Sequence, residues 1–187
     1  MKKYLGIGFI ILFFISCKQR GNYQGDLLMN YLDVEEVLRK NLDIYKKDPV
    51  MVSKITYLDG KRDSTALDMA SMPWNEIEAP FKKANIQKKA LDRKYKIDIL
   101  TDTTTHSITL LYKALSNDVF TKSISMRTND NENKMQSLYI EADEKNLVGS
   151  SDYRLLYVKG KSIQIQERIK KPFSKLKTTI TTYTFLN

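Results

Sequence analysis

The 187-residue sequence predicts an α+β domain, a long antiparallel meander sheet, open or curled into a half-barrel, with two amphipathic helices covering its apolar face. Three observations carry this. Apolar residues recur at helical spacing in two segments of the first half, the period changes to two from Tyr95 onward, and turn residues punctuate that second stretch regularly. The length normally means one domain, and 42% hydrophobic residues supply a core, which excludes wholesale disorder, collagen and a disulfide-stapled miniprotein.

The fold is expected to start after a polar stretch. Asp33, with Glu36 three residues on, resembles a capping box, and Val34, Val37, Leu38, Leu42 and Tyr45 then mark one face of a helix of about fourteen residues ending at Asp48-Pro49. Val50 to Leu58 is β-branched and aliphatic, Asp59-Gly60 is a type I′ hairpin signal, and Arg62 to Met69 returns as the partner strand. Ser71 is placed to cap a second helix with Pro73 in its first turn. Trp74, Ile77 and Phe81 share one face of it, and Pro80 should kink or end it, because its ring removes a donor and crowds the preceding turn.

Seven strands follow, around Tyr95 to Ile99, Ile108 to Tyr112, Phe120 to Met126, Leu138 to Ala142, Tyr153 to Tyr157, Ile163 to Ile169 and Ile180 to Leu186. Turns are expected at Asp102 to Thr105, Asn129 to Asn133, Asp143 to Asn146, Gly160 and Lys171-Pro172. Each strand is apolar on one side and polar on the other, so one sheet face packs and one is wet. The two helices are the only cover the sequence offers.

The first residues form a different unit. Lys2 and Lys3 precede an uncharged stretch, Leu5 to Ile15, which is followed by Ser16 and the only cysteine, Cys17. This is the layout of an export signal over residues 1–16. At roughly 1.5 Å per residue its eleven-residue uncharged stretch would span about half of a bilayer core of roughly 30 Å, too short for a permanent crossing. Residues 17–26, from Cys17 through Lys18-Gln19-Arg20 to Asp26, read as a flexible tether, and residues 27–187 as one folded domain. Losing Lys2 and Lys3 lowers the net charge from +9 to +7. Outside the cytoplasm such a charge suits anionic lipid or polysaccharide rather than nucleic acid. The basic residues are scattered, which also suits an ordinary solvated surface.

Phe14-Ile15-Ser16-Cys17 resembles the lipobox of bacterial lipoproteins, with Phe14 where an aliphatic residue is usual. That resemblance implies acylation of Cys17, and the absence of Asp beside the cysteine implies an outer-membrane location facing the periplasm. Asn85-Ile86-Gln87-Lys88-Lys89-Ala90-Leu91 with Tyr95, the strand Val52-Ser53-Lys54-Ile55 and Trp74 also look like a family of small lipoproteins of Gram-negative bacteria. The family segment has Pro and Trp where this chain has Lys89 and Leu91. The family carries no established activity.

No residue set spells out a reaction, and no cofactor is expected. His106 lies in a threonine-rich turn beside Ser107, and adjacency in sequence does not make a catalytic pair. Glu76 and Glu78, two apart on a helix, point to different sides. Asp130, Asn131, Glu132 and Asn133 resemble a calcium loop in composition but lack the ordered ligand spacing. Trp74, Phe81, Tyr95, Tyr112, Phe120 and Tyr153 form the informative aromatic set, either ordinary core between helix and sheet or the lining of an apolar pocket. The sequence therefore points to a non-enzymatic envelope lipoprotein, bound to the membrane through Cys17 and able to meet an envelope protein or anionic lipid or polysaccharide. The alternative is a carrier of lipid or another hydrophobic ligand, by analogy with periplasmic lipoprotein carriers.

Overall fold

The structure, a computed structural model, describes residues 32–46, 50–129 and 134–186. Its elements are α1 (Val34–Tyr45), β1 (Met51–Leu58), β2 (Lys61–Asp68), α2 (Trp74–Lys83), β3 (Tyr95–Asp102), β4 (Ser107–Ala114), β5 (Thr121–Asn129), β6 (Met135–Asn146), β7 (Gly149–Val158), β8 (Ser162–Lys170) and β9 (Lys177–Leu186), with a 3-10 turn at Lys89–Leu91. All nine strands join one antiparallel sheet in the order β2-β1-β9-β8-β7-β6-β5-β4-β3, which does not close. The fold is thus the expected hairpin plus seven-stranded meander, with the C-terminal strand β9 joining the two.

The register sorts the side chains into two faces. Tyr183, Ile163, Tyr157, Leu138 and Met126 lie opposite one another from β9 to β5 and are buried beneath the helices. The same strands turn Thr182, Gln164, Leu156, Tyr139 and Ser125 to the other face, where Gln164 Nε2 donates to Thr182 Oγ1 at 3.1 Å. Successive side chains alternate between the faces and both helices lie on the apolar one, so the second row faces water.

α1 and α2 run antiparallel across the apolar face. Lys82 near the end of α2 meets Glu35 at the start of α1 (3.2 Å), while Lys46, just past α1, meets Glu78 (2.8 Å) and lies over the Trp74 ring. Val34, Leu38 and Leu42 of α1, with Ile77 and Phe81 of α2, are fully buried. The Tyr45 ring stacks on Phe185 of β9 at 5.2 Å, and the Ala84 carbonyl accepts from Thr121 Oγ1 of β5 at 2.9 Å. The helical pair therefore spans the sheet from β9 to β5.

Several local expectations are corrected. α1 stops at Tyr45 after twelve residues, and Asp48-Pro49 lies outside the described residues. Ser71 does not cap α2: Pro73 occupies the N-cap, and the Ser71 N–H donates instead to Asp68 Oδ1 at 2.7 Å, closing the turn after β2. Pro80 does not end α2, which continues to Lys83. An interior proline costs about 3 kcal/mol, whereas burying Ile77 and Phe81 on either side of it returns roughly 1.5–3 kcal/mol each. Finally, Asp143 to Asn146 is not a turn but the end of β6, paired with β7, and the reversal falls at residues 147 and 148. Polarity alone cannot separate an exposed strand end from a turn.

Candidate functional site

The aromatic set divides in two. Phe81, Tyr95 and Tyr112 are core. The Tyr95 hydroxyl donates to the Thr121 carbonyl at 2.8 Å, and burial pushes the Tyr112 phenol above its ordinary value. Trp74, Phe120 and Tyr153 are half-buried and pack at the margin of that core. Trp74 sits at the start of α2 beneath Lys46 Nζ, 5.1 Å from the ring centre. Phe120 and Tyr153 come together near the end of α2, their rings tilted with centres 5.6 Å apart.

That last pair is the seed of the candidate site. α2 delivers Lys83 so that its ammonium lies 4.5 Å from the Phe120 ring centre and 5.5 Å from that of Tyr153, while pairing with Glu144 Oε2 of β6 at 2.6 Å. The cation sits over two electron-rich faces with one carboxylate partner, an arrangement that holds a lysine in place without neutralising the surroundings. Burial, and then the hydrogen bond and charge of Glu167, raise the Tyr153 phenol.

Beside this cluster an open groove of about 630 Å³ is lined by Lys83, Lys88, Lys122 and Lys145 together with Asp143 and Glu144. Lys122 is fixed, its ammonium 2.9 Å from Asp143 Oδ1 and donating to the Asn117 and Val119 carbonyls. Lys88 and Lys145 have no ion-pair partner among the described residues. A groove with two anchored ammonium groups, two more without an ion-pair partner among the described residues, and Phe120 in its lining suits an anionic group attached to an apolar body. A smaller cleft of about 180 Å³ separates α1 from α2, with Glu35, Arg39, Asn75, Glu78 and Lys82 at its walls. Its charges are already paired across the helices at Glu35–Lys82 and Glu78–Lys46.

The remaining sequence candidates do not gather at the groove. His106 is exposed in the β3–β4 turn with a backbone φ of +47°. Glu76 is exposed on α2, and Glu78 is engaged by Lys46. Cys17 and the segment from Asp130 to Asn133 lie outside the described residues. Among the described residues there is no cluster of His, Cys, Asp and Glu able to hold a metal ion, and no helix is long and apolar enough to cross a membrane.

Sequence reading had missed the groove lysines, because Lys83, Lys88, Lys122 and Lys145 come from four separate segments and show no spacing. It had also missed a polar brace at the opposite end, where Arg127 Nη2 donates to Thr105 Oγ1 at 2.9 Å and Nε to Ser107 Oγ at 3.1 Å. No family model, curated protein or solved structure matches this chain.

Proposed function

We propose that the chain is a lipid-anchored, non-enzymatic module of the cell envelope, held at the membrane through Cys17 and binding through its surface. The supporting observation is the filled interior. Tyr157, Phe81, Leu38, Leu42, Ile77, Leu138, Ile140 and Ile163 are buried completely between helices and sheet. A domain packed in this way offers its exterior to partners, and the Lys83–Phe120 groove is a part of that exterior that combines charge, aromatic surface and a concave shape. The export-signal layout and the cysteine behind it account for the anchor.

Metabolic labelling with an alkyne fatty acid tests the anchor. Label should appear on the wild-type protein and vanish with Cys17→Ser, and equal labelling of both ends the lipoprotein reading. Melting the protein with and without palmitate tests the surface reading. An unchanged melting temperature is expected, whereas a rise of several degrees with co-purifying lipid would replace this reading with a hydrophobic-ligand carrier.

A further inference from the structure

The strand order sends four connections to the same end of the sheet: the β1–β2 turn, the β8–β9 loop, the β6–β7 turn and the β4–β5 loop. Successive tips are two strands apart, roughly 10 Å at the usual strand spacing. They are tied to one another. The Asp59 N–H donates to the Thr178 carbonyl at 3.0 Å, and Asp59 Oδ1 accepts from the Thr178 N–H at 2.9 Å. Gly149 presses so closely on the Lys170 carbonyl that a Cβ there would lie 2.4 Å from it, and the Asp143 N–H donates to the Phe120 carbonyl at 2.9 Å.

These tips carry large apolar side chains exposed to water, two of them fully. Leu147 is 101% exposed, Val148 73% and Phe173 110%, and Leu58, Leu115 and Leu176 are exposed as well. Phe173 also holds a φ of +59°, a conformation ordinarily left to glycine or asparagine, and its ring gains no burial in return. Around the tips stand Lys61, Lys145, Lys170, Lys171, Lys175 and Lys177, all exposed and none with an ion-pair partner among the described residues. Four acids of this end are engaged, Asp59 with the Thr178 N–H, Asp118 with Lys94, Asp143 with Lys122 and Glu144 with Lys83, while Asp63 near the β1–β2 turn is exposed and outnumbered by the six lysines. Toward the opposite end, the described turns around Thr104 and Gly160 bear no exposed large apolar side chain; Met51, Leu100 and Leu186 in strands and Ile44 on α1 lie there, each 48–57% exposed.

We propose that this end of the sheet is a docking surface for an anionic lipid bilayer. Separate apolar tips rather than one continuous patch suit a soft interface, where each side chain enters the acyl boundary on its own. Unpaired lysines between the tips suit the phosphate layer above it, their stems lying among lipid while the ammonium groups stay at the headgroups. The docking does not require acylation of Cys17, which tethers the chain without setting the domain's orientation. It turns the hairpin tips and the adjoining lysine groove toward the bilayer and the turn around His106 away from it.

The test uses the full chain with Cys17→Ser, so that a single new cysteine can carry an environment-sensitive dye. Probes at Leu147→Cys and Phe173→Cys report the proposed surface, and Thr104→Cys reports the far end. With vesicles of phosphatidylglycerol and phosphatidylethanolamine, a blue shift with a severalfold rise in intensity is expected at positions 147 and 173 and none at 104. The shift should weaken severalfold in 1 M salt and on pure phosphatidylcholine. Shifts at neither end, at both ends or at position 104 alone overturn the docking surface, including the case in which the N-terminal segment alone holds the protein to the vesicle. An equal shift on phosphatidylcholine overturns the role of the lysines. An equal shift with dextran sulfate in place of vesicles would make the partner a soluble polyanion and overturn the bilayer.

Discussion

Asn85 Nδ2 donates to Asp33 Oδ1 at 3.0 Å, while Asn85 Oδ1 accepts from the Val34 N–H at 3.2 Å and the Gln87 N–H at 3.1 Å. One amide thus joins the start of α1 to the segment leaving α2, and Asp33 uses the same oxygen to cap the Glu36 N–H. This gives a physical role to Asn85 in the segment from Asn85 to Leu91 that resembles the lipoprotein family. Ile86 beside it is fully buried, so the segment is a structural clasp between the helices. Asn85→Ala should lower stability by about 1–3 kcal/mol, because it strands the N–H of Val34, a buried residue, and frees the Asp33 cap. Denaturant unfolding checks this, and a change below about 0.5 kcal/mol would rule the clasp out.

The Tyr157 hydroxyl is wholly buried without a well-formed hydrogen bond, near Tyr45. Tyr157→Phe should therefore leave the melting temperature unchanged or raise it, since it removes an unsatisfied polar atom while keeping the ring. A fall of more than about 1 kcal/mol would mean that the hydroxyl has a partner.

Burial also pushes the Tyr157 phenol well above its ordinary value of 10.0, with Tyr112 and Tyr183 raised for the same reason. In the unfolded chain these phenols ionise near pH 10 while the folded domain still holds their protons. Their stabilising contribution is complete below pH 10 and is lost as the pH climbs toward the folded-state values. Phenolate absorbance should therefore rise together with unfolding above pH 10, and Tyr157→Phe should move that transition upward. Ionisation of all tyrosines with the fold intact would contradict this.

Phe81→Ala should cost about 3–5 kcal/mol, and Trp74→Ala less, because Phe81 is fully buried whereas Trp74 keeps one side in water beneath Lys46. Equal costs, measured by denaturant melts of the two variants, would place Trp74 in the core.

Glycine contrasts at two turns supply a further check. Gly60 has a φ of +86° and open space around it, so Gly60→Ala should cost about 1 kcal/mol for its backbone conformation alone. Gly149→Ala combines a φ of +144° with a backbone collision at the Lys170 carbonyl and should cost more. Matching melting temperatures for the two variants would refute the close approach of the β6–β7 turn to β8.

The fold class, both helices, the hairpin and the seven later strands were legible in the order of residues alone. The reason is that apolar period is a local property: Tyr157 and Leu155 alternate with Leu156 and Arg154 whatever their neighbours are. The Asp59-Gly60 turn was legible for the same kind of reason, its two positive φ values of 49° and 86° being conformations those residues tolerate. Tertiary structure decided where local preference was outweighed or silent. Burial of Ile77 and Phe81 carries α2 past Pro80, and ladder pairing to β7 keeps Asp143 to Asn146 in a strand. The joining of β1 to β9, the gathering of Lys83 with Phe120 and Tyr153, and the alignment of Leu147 with Phe173 at one end bring together residues far apart in the chain. Such contacts leave no spacing to read, because only the closing of long loops around a shared core creates them.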